Sequence, residues 1–168
     1  MEVVPMKFPL DVLCVRTGTF CPVCRAKIQE GKVTQTDIDV IKVLIDIPEA
    51  SKMEGEYVKS IKTERGIWVV IKGDISEAQA RSLGRSMSRR LKSRVRVIRY
   101  KEGEIEKLIA SILAPHQIVG MSRRYIFEDL VILKIFVRLK GRKSRRSLDE
   151  EREIISQLIG MPILIEEV

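Results

Sequence analysis

Ser76-Glu-Ala-Gln-Ala-Arg-Ser-Leu-Gly-Arg-Ser-Met-Ser-Arg-Arg-Leu-Lys-Ser-Arg-Val-Arg-Val-Ile-Arg-Tyr100 is the stretch on which the reading of this chain turns. Ser76 and Gln79 have the spacing of a capping box, and Ala80, Leu83, Met87 and Leu91 recur at helical intervals. Gly84 falls inside that run and predicts a helix weakened or broken into two. From Arg94 to Tyr100 basic residues alternate with Val95, Val97 and Ile98 for most of the length, which predicts a strand with one basic and one buried face.

Outward from this stretch the same order appears on both sides. Upstream, Thr36 with Asp39 offers an N-cap to an apolar run that continues to Ile45 and stops at Pro48. Strand-type segments follow at Tyr57–Thr63 and Ile67–Lys72, with Glu64-Arg65-Gly66 as the hairpin connection. Downstream of Gly103, residues Ile105, Leu108, Ile109, Ile112 and Leu113 mark an amphipathic helix ending before Pro115. Strands are expected over Gln117–Arg123 and Leu130–Leu139. A helix capped by Ser147 with Glu150 and closed by Gly160 comes next, and a last strand spans Ile163–Glu167. The expectation is an α+β protein: a leader over 1–32 and two similar modules, 33–101 and 102–168, each running helix, strand, strand, one or two helices, strand.

The chain has 168 residues, with 31 Lys+Arg against 23 Asp+Glu, a net charge of +8, and 45% hydrophobic residues. That composition describes a folded, basic protein suited to a polyanionic partner. No stretch reaches the roughly 18 to 20 apolar residues of a membrane span, and the first residues lack a signal-peptide pattern, so a soluble cytoplasmic protein is expected. No P-loop, nucleophile elbow or paired His/carboxylate motif is present, and His116 has no evident catalytic companion, so enzymatic activity is not expected. Aromatic residues make up only 5%, which disfavours an open sheet that stacks bases. Trp68 and Phe136 are assigned to the core, and Tyr125, beside Arg123 and Arg124, is the aromatic placed to reach solvent.

Residues 11–24 read as a turn-rich segment ending in Cys21-Pro-Val-Cys24, followed by one or two helical turns from Arg25 to Glu30 closed by Gly31. Three cysteines make no disulfide framework. Asp11, Cys14, Cys21 and Cys24 have the spacing x2, x6, x2, which permits a zinc site of three thiolates and one carboxylate. The competing reading is three reduced thiols in a small core with Asp11 on the surface. Redox use of Cys21 and Cys24 is disfavoured, because no thioredoxin-like βαβ context surrounds them.

Charge supplies the functional pattern. Arg81, Arg85, Arg89 and Lys92 form a stripe opposite Leu83, Met87 and Leu91 on a helical wheel, and Arg90, Arg94 and Arg96 extend it. Between Arg81 and Lys101 there are nine basic residues and no acidic one. Such an unmixed run favours phosphate contact over a merely solvated face. Lys140, Arg142, Lys143, Arg145 and Arg146 form a second block just before a helix start, where amide groups favour anions; the alternative is a mobile charged loop.

The order of elements at 36–100 and 103–167 resembles the α-β-β-α-α-β order of type II KH modules, and the passage Arg89–Val97 resembles the helix-to-strand passage of a first KH module. Cys14, Cys21, Pro22 and Cys24 are similar to the leader Cys-x-x-Cys, six residues, Cys-Pro-x-Cys of short archaeal NusA-like proteins, with Asp11 where the first cysteine would stand. The resemblance implies an RNA-binding protein of two KH modules with a zinc-knuckle-like leader, acting in transcription or on structured RNA alongside RNA polymerase. A factor docked on ribosomal RNA of a ribosomal subunit is the alternative, and a DNA- or anionic-surface-binding protein a third. The chain departs from the KH pattern at the Gly-x-x-Gly turn: Ala80–Gly84 carries one glycine, and Gly141-Arg-Lys-Ser144 keeps only the first.

Overall fold

The computed structural model describes residues 6–140 and 148–168. The chain divides into two compact units, Met1–Gly103 and Glu104–Val168. Each contains a three-stranded sheet beside helices, an α+β arrangement. No helix among the described residues is long and apolar enough to cross a membrane.

In the first unit, α1 (Val12–Thr17), α2 (Pro22–Gln29) and α3 (Gln35–Ile45) precede β1 (Gly55–Thr63), β2 (Gly66–Gly73), α4 (Glu77–Leu91) and β3 (Val95–Tyr100). The sheet runs β1-β2-β3, with β2 antiparallel to β1 and parallel to β3. The central strand is buried on both faces from Ile67 to Ile71, as a nearly unbroken apolar run requires. Where β1 turns into β2, Gly66 has φ 146°, and a Cβ there would sit 2.1 Å from the Arg94 carbonyl oxygen. That carbonyl accepts the Ile67 amide at 2.8 Å, so the hairpin closes against the start of β3 only because position 66 has no side chain.

The leader belongs to this unit's core. Leu10, Cys14, Val15, Cys24 and Val33 cluster with Val40, Leu44, Val69, Leu83 and Met87, so the expected separate leader of residues 1–32 shares one apolar interior with the first module. The stretch 11–24, expected as turns, contains α1, and Gly18 ends it with φ 73°.

Helix α3 is capped two residues earlier than expected. Thr34, rather than Thr36, forms the reciprocal box, with Asp37 as its partner in place of Asp39. Asp37 is 3% exposed. Its Oδ2 accepts the Thr34 amide at 2.8 Å and the Thr34 hydroxyl at 2.9 Å. Its Oδ1 accepts the Tyr57 hydroxyl at 2.6 Å and the Ser60 amide at 2.8 Å. With the Tyr57 proton committed to Asp37, the Ser60 hydroxyl is left to donate to the phenol oxygen. One carboxylate thus ties the start of α3 to β1.

Helix α4 keeps the expected Ser76–Gln79 capping box but runs unbroken through Gly84. Gly84 is buried, and a Cβ there would lie 3.2 Å from the Val95 carbonyl oxygen. Close packing against β3, not helix breaking, is what the glycine serves. Ser88 adds a clamp: its Oγ donates to the Gly84 carbonyl at 2.7 Å and accepts the Val95 amide at 3.0 Å.

The second unit contains α5 (Ile105–Leu113), β4 (Gln117–Phe127), β5 (Leu130–Arg138), α6 (Asp149–Ile159) and β6 (Ile163–Glu167). Its sheet runs β4-β5-β6 with the same antiparallel-then-parallel pairing. The hairpin is longer than expected, β4 reaching Phe127 instead of Arg123. Gly160 closes α6 with φ 78°, as expected; the predicted cap Ser147 lies outside the described residues. Both units show one helix between their second and third strands among the described residues, where the KH order has two.

Candidate metal centre and nucleic-acid face

Cys14 sits on α1, Cys21 is the N-cap of α2 and Cys24 lies in its first turn, so two short helices carry all three thiols. The three sulfurs lie within 4.8 Å of one another. Zinc–thiolate bonds of about 2.3 Å need sulfur–sulfur edges of roughly 3.8 Å in a tetrahedron, so small side-chain adjustments within that span close the site. Each sulfur also accepts a backbone amide: Cys14 Sγ from Cys21 at 3.4 Å, Cys21 Sγ from Cys24 at 3.5 Å and Cys24 Sγ from Asp11 at 3.3 Å. Amide donors stabilise thiolate charge, the form that binds metal. The thiols are not equivalent. Hydrogen bonds, first from the Cys24 amide, hold Cys21 below the ordinary thiol value. Cys24 is shifted upward: the Asp11 amide pulls it down, but burial and the neighbouring sulfurs of Cys21 and Cys14 outweigh that pull. Cys21 therefore ionises before Cys24.

Asp11, expected as the fourth ligand, does not join the cluster. It is the N-cap of α1, its Oδ1 accepting the Leu13 amide at 2.8 Å, and its contribution to the site is the backbone N–H aimed at Cys24. The donor set is three cysteine sulfurs, which as thiolates suit a soft or borderline cation such as zinc.

The arginine stripe lies on α4 as the spacing implied. Leu83 and Met87 are fully buried, while Arg81, Arg85, Arg89 and Arg90 are exposed. These cations differ in how far they are committed. Arg81 pairs with Glu77 one turn earlier. Arg85, Arg89, Arg90, Lys92 and Arg94 make no ion pair with a described residue. Lys92 stands just past the helix as its C-cap at φ 52°, a left-handed conformation that turns the chain into β3. Arg96 leaves the stripe: its guanidinium lies 4.6 Å from the centre of the Trp68 ring, its parallel-strand neighbour. Toward Lys101 the run is partly neutralised, with Lys101 3.1 Å from Asp74 and Arg99 donating to the Ile75 carbonyl at 3.0 Å.

Of the second basic block only Lys140 is among the described residues; Arg142, Lys143, Arg145 and Arg146 lie outside them. The Lys140 amide donates to His116 Nδ1 at 3.0 Å, and His116 is 7% exposed. The lone histidine is thus a buried acceptor that fixes the chain where β5 ends. Trp68 is buried as expected, Phe136 only partly, and Tyr125 is exposed. The sequence reading missed Phe127, which is as exposed as Tyr125, because it ended the strand at Arg123.

Chains of known structure share this fold. One of them, described as "Crystal structure of APE1850", superposes with a TM-score of 0.50 at 17% sequence identity, covering 66% of this chain and 86% of that one. At that identity the likeness concerns the fold alone. No protein-family model matches the chain, and no curated protein matches it.

Proposed function

We propose that this is an RNA-binding protein of two degenerate KH-like modules, NusA-like in organisation, acting in transcription or on structured RNA, with a zinc ion bound by its leader. The observation that carries the reading is the uncommitted cationic ridge of α4 and its C-cap: Arg85, Arg89, Arg90 and Lys92 are exposed and none pairs with a described carboxylate. Counterion release from phosphates gives such a ridge its affinity, with little sequence information. The repeated order of elements and the identical strand pairing in both units support two copies of one module. Zinc would be held by Cys14, Cys21 and Cys24, its chemistry being structural: it would cross-link α1 to α2 over the core they share with the sheet.

A ribosome-associated factor docked on ribosomal RNA is the second reading, and the continuous α4 favours it. Ala80–Gly84, where the KH pattern has a glycine turn between two helices, lies within one helix, so the grip on a splayed single strand is absent there. Folded RNA is contacted through phosphates and shape instead.

The salt dependence of RNA affinity tests the ridge. Changing Arg85 and Arg89 together to alanine is expected to flatten the log–log slope by about 1.4, from roughly 0.7 per single-strand phosphate contact. Arg81→Ala, whose partner is Glu77, should change the slope less. A double variant that is folded by circular dichroism and keeps the parent slope would remove the ridge from the interface.

A further inference from the structure

The β4–β5 hairpin is an exposed feature of the second unit that the arginine ridge does not involve. Every residue from Ser122 to Leu130 is exposed, although the segment is regular strand up to Phe127. Tyr125 and Phe127 each expose 74% of their surface, and with Ile126 and Leu130 also exposed they gather apolar side chains at the end of the hairpin, the kind of patch that marks an interaction site. Ile126 is the extra residue of a β-bulge, since Tyr125 pairs with Val131 and Phe127 with Leu130. At the base of this arm stand Arg123 and Arg124, both exposed and neither paired with a described carboxylate. Consecutive strand residues project to opposite faces, so the two guanidinium groups place positive charge on both sides of the sheet.

The geometry points to this hairpin as a stacking arm for unpaired RNA bases, with Tyr125 and Phe127 as the platforms and Arg123 and Arg124 as the phosphate contacts. It rests on the RNA-binding reading and assigns to the second unit a role that the arginine ridge of the first cannot perform. Base faces stack on aromatic rings whatever their identity, while the phosphates on either side need cations within reach. The turn residues Glu128 and Asp129 repel a polyanion from the tip, so the strand is directed across the base of the arm. β4 is also an edge strand of its sheet.

Fluorescence anisotropy with two labelled probes, a twelve-nucleotide oligouridylate and a twelve-base-pair RNA duplex, tests the assignment on the full-length protein. Tyr125→Leu with Phe127→Leu is expected to weaken oligouridylate binding at least about tenfold without changing its salt slope, and to leave the duplex affinity within about twofold. Tyr125→Trp should retain the parent affinity, because the ring face is kept. Arg123→Ala and Arg124→Ala should each flatten the slope by about 0.7. If the leucine pair binds oligouridylate like the parent while the Arg85/Arg89 variant loses slope, the arm is excluded and the RNA reading stands. If the parent binds neither probe, both fall. An unchanged RNA affinity with altered self-association in sedimentation would make the hairpin a protein-contact surface and overturn the proposal.

Discussion

Replacing Asp37 by alanine is expected to cost the first unit about 4 kcal/mol of stability, the cost of stranding two or more buried donors at about 1–3 kcal/mol each. The Tyr57 hydroxyl and the Ser60 amide lose their acceptor, and both residues are almost completely buried. The Thr34 amide and hydroxyl, nearer the surface, lose theirs at smaller cost. Trp68 is the only tryptophan, and it lies in β2, so its fluorescence reports this unit alone during urea unfolding. An unchanged midpoint would mean that the network contributes nothing. Tyr57 adds a pH signature. Burial first, and then the neighbouring Asp37 charge, push its phenol well above the ordinary value of 10.0. A folded-state value above the unfolded one means the stabilisation is complete below about pH 10 and declines as the pH rises beyond it, by at most about 1.4 kcal/mol per unit. Tyr57→Phe should abolish that alkaline decline and cost about 2 kcal/mol at neutral pH, the range for a hydrogen bond to a charged group.

Loss of the metal is expected to have an effect of similar size. The protein expressed with zinc should carry about one ion per chain, and Cys21→Ser with Cys24→Ser should carry almost none. With free zinc about a thousandfold above the dissociation constant, binding stabilises the folded unit by about 4 kcal/mol, so chelation should lower the unfolding free energy read from Trp68 fluorescence by about that amount. Less than about half an ion in the parent protein, by elemental analysis, would leave three reduced thiols and no site. Asp11→Ala checks the capping role that the structure gives that residue. As a helix cap it should cost about 1 kcal/mol and leave the zinc content unchanged, whereas a ligand would take the metal with it.

What could be read from the chain alone was whatever local spacing decides. Cys14, Cys21 and Cys24 announced a cluster because helix starts bring such spacings together. Ser76 and Gln79 announced the start of α4 because a capping box is complete within four residues. The cap of α3 was misplaced because Thr34–Asp37 and Thr36–Asp39 are equivalent locally. Only the former carboxylate finds Tyr57 and Ser60, which lie more than a dozen residues away. Asp11 was read as a ligand from its position in the spacing, but a local amide, that of Leu13, claims its carboxylate. Gly84 was read by helix propensity, and contact with β3 overrode propensity. The far end of the hairpin was lost because Glu128-Asp129 lacks the glycine or asparagine that marks tight two-residue turns.

The close seating of α4 on β3 also limits how this surface can vary. With no atom beyond the backbone at position 84, and the Ser88 hydroxyl bridging the two elements, the helix backbone is held close to β3 and the guanidinium groups stand at the height above the sheet which that approach sets. Arginines can be exchanged, added or removed along the outer side of the helix without disturbing that spacing. Substituting the inner glycine by anything bulky would push the helix and all its guanidinium groups away from the sheet together, which would change the fit to the proposed RNA without changing the net charge.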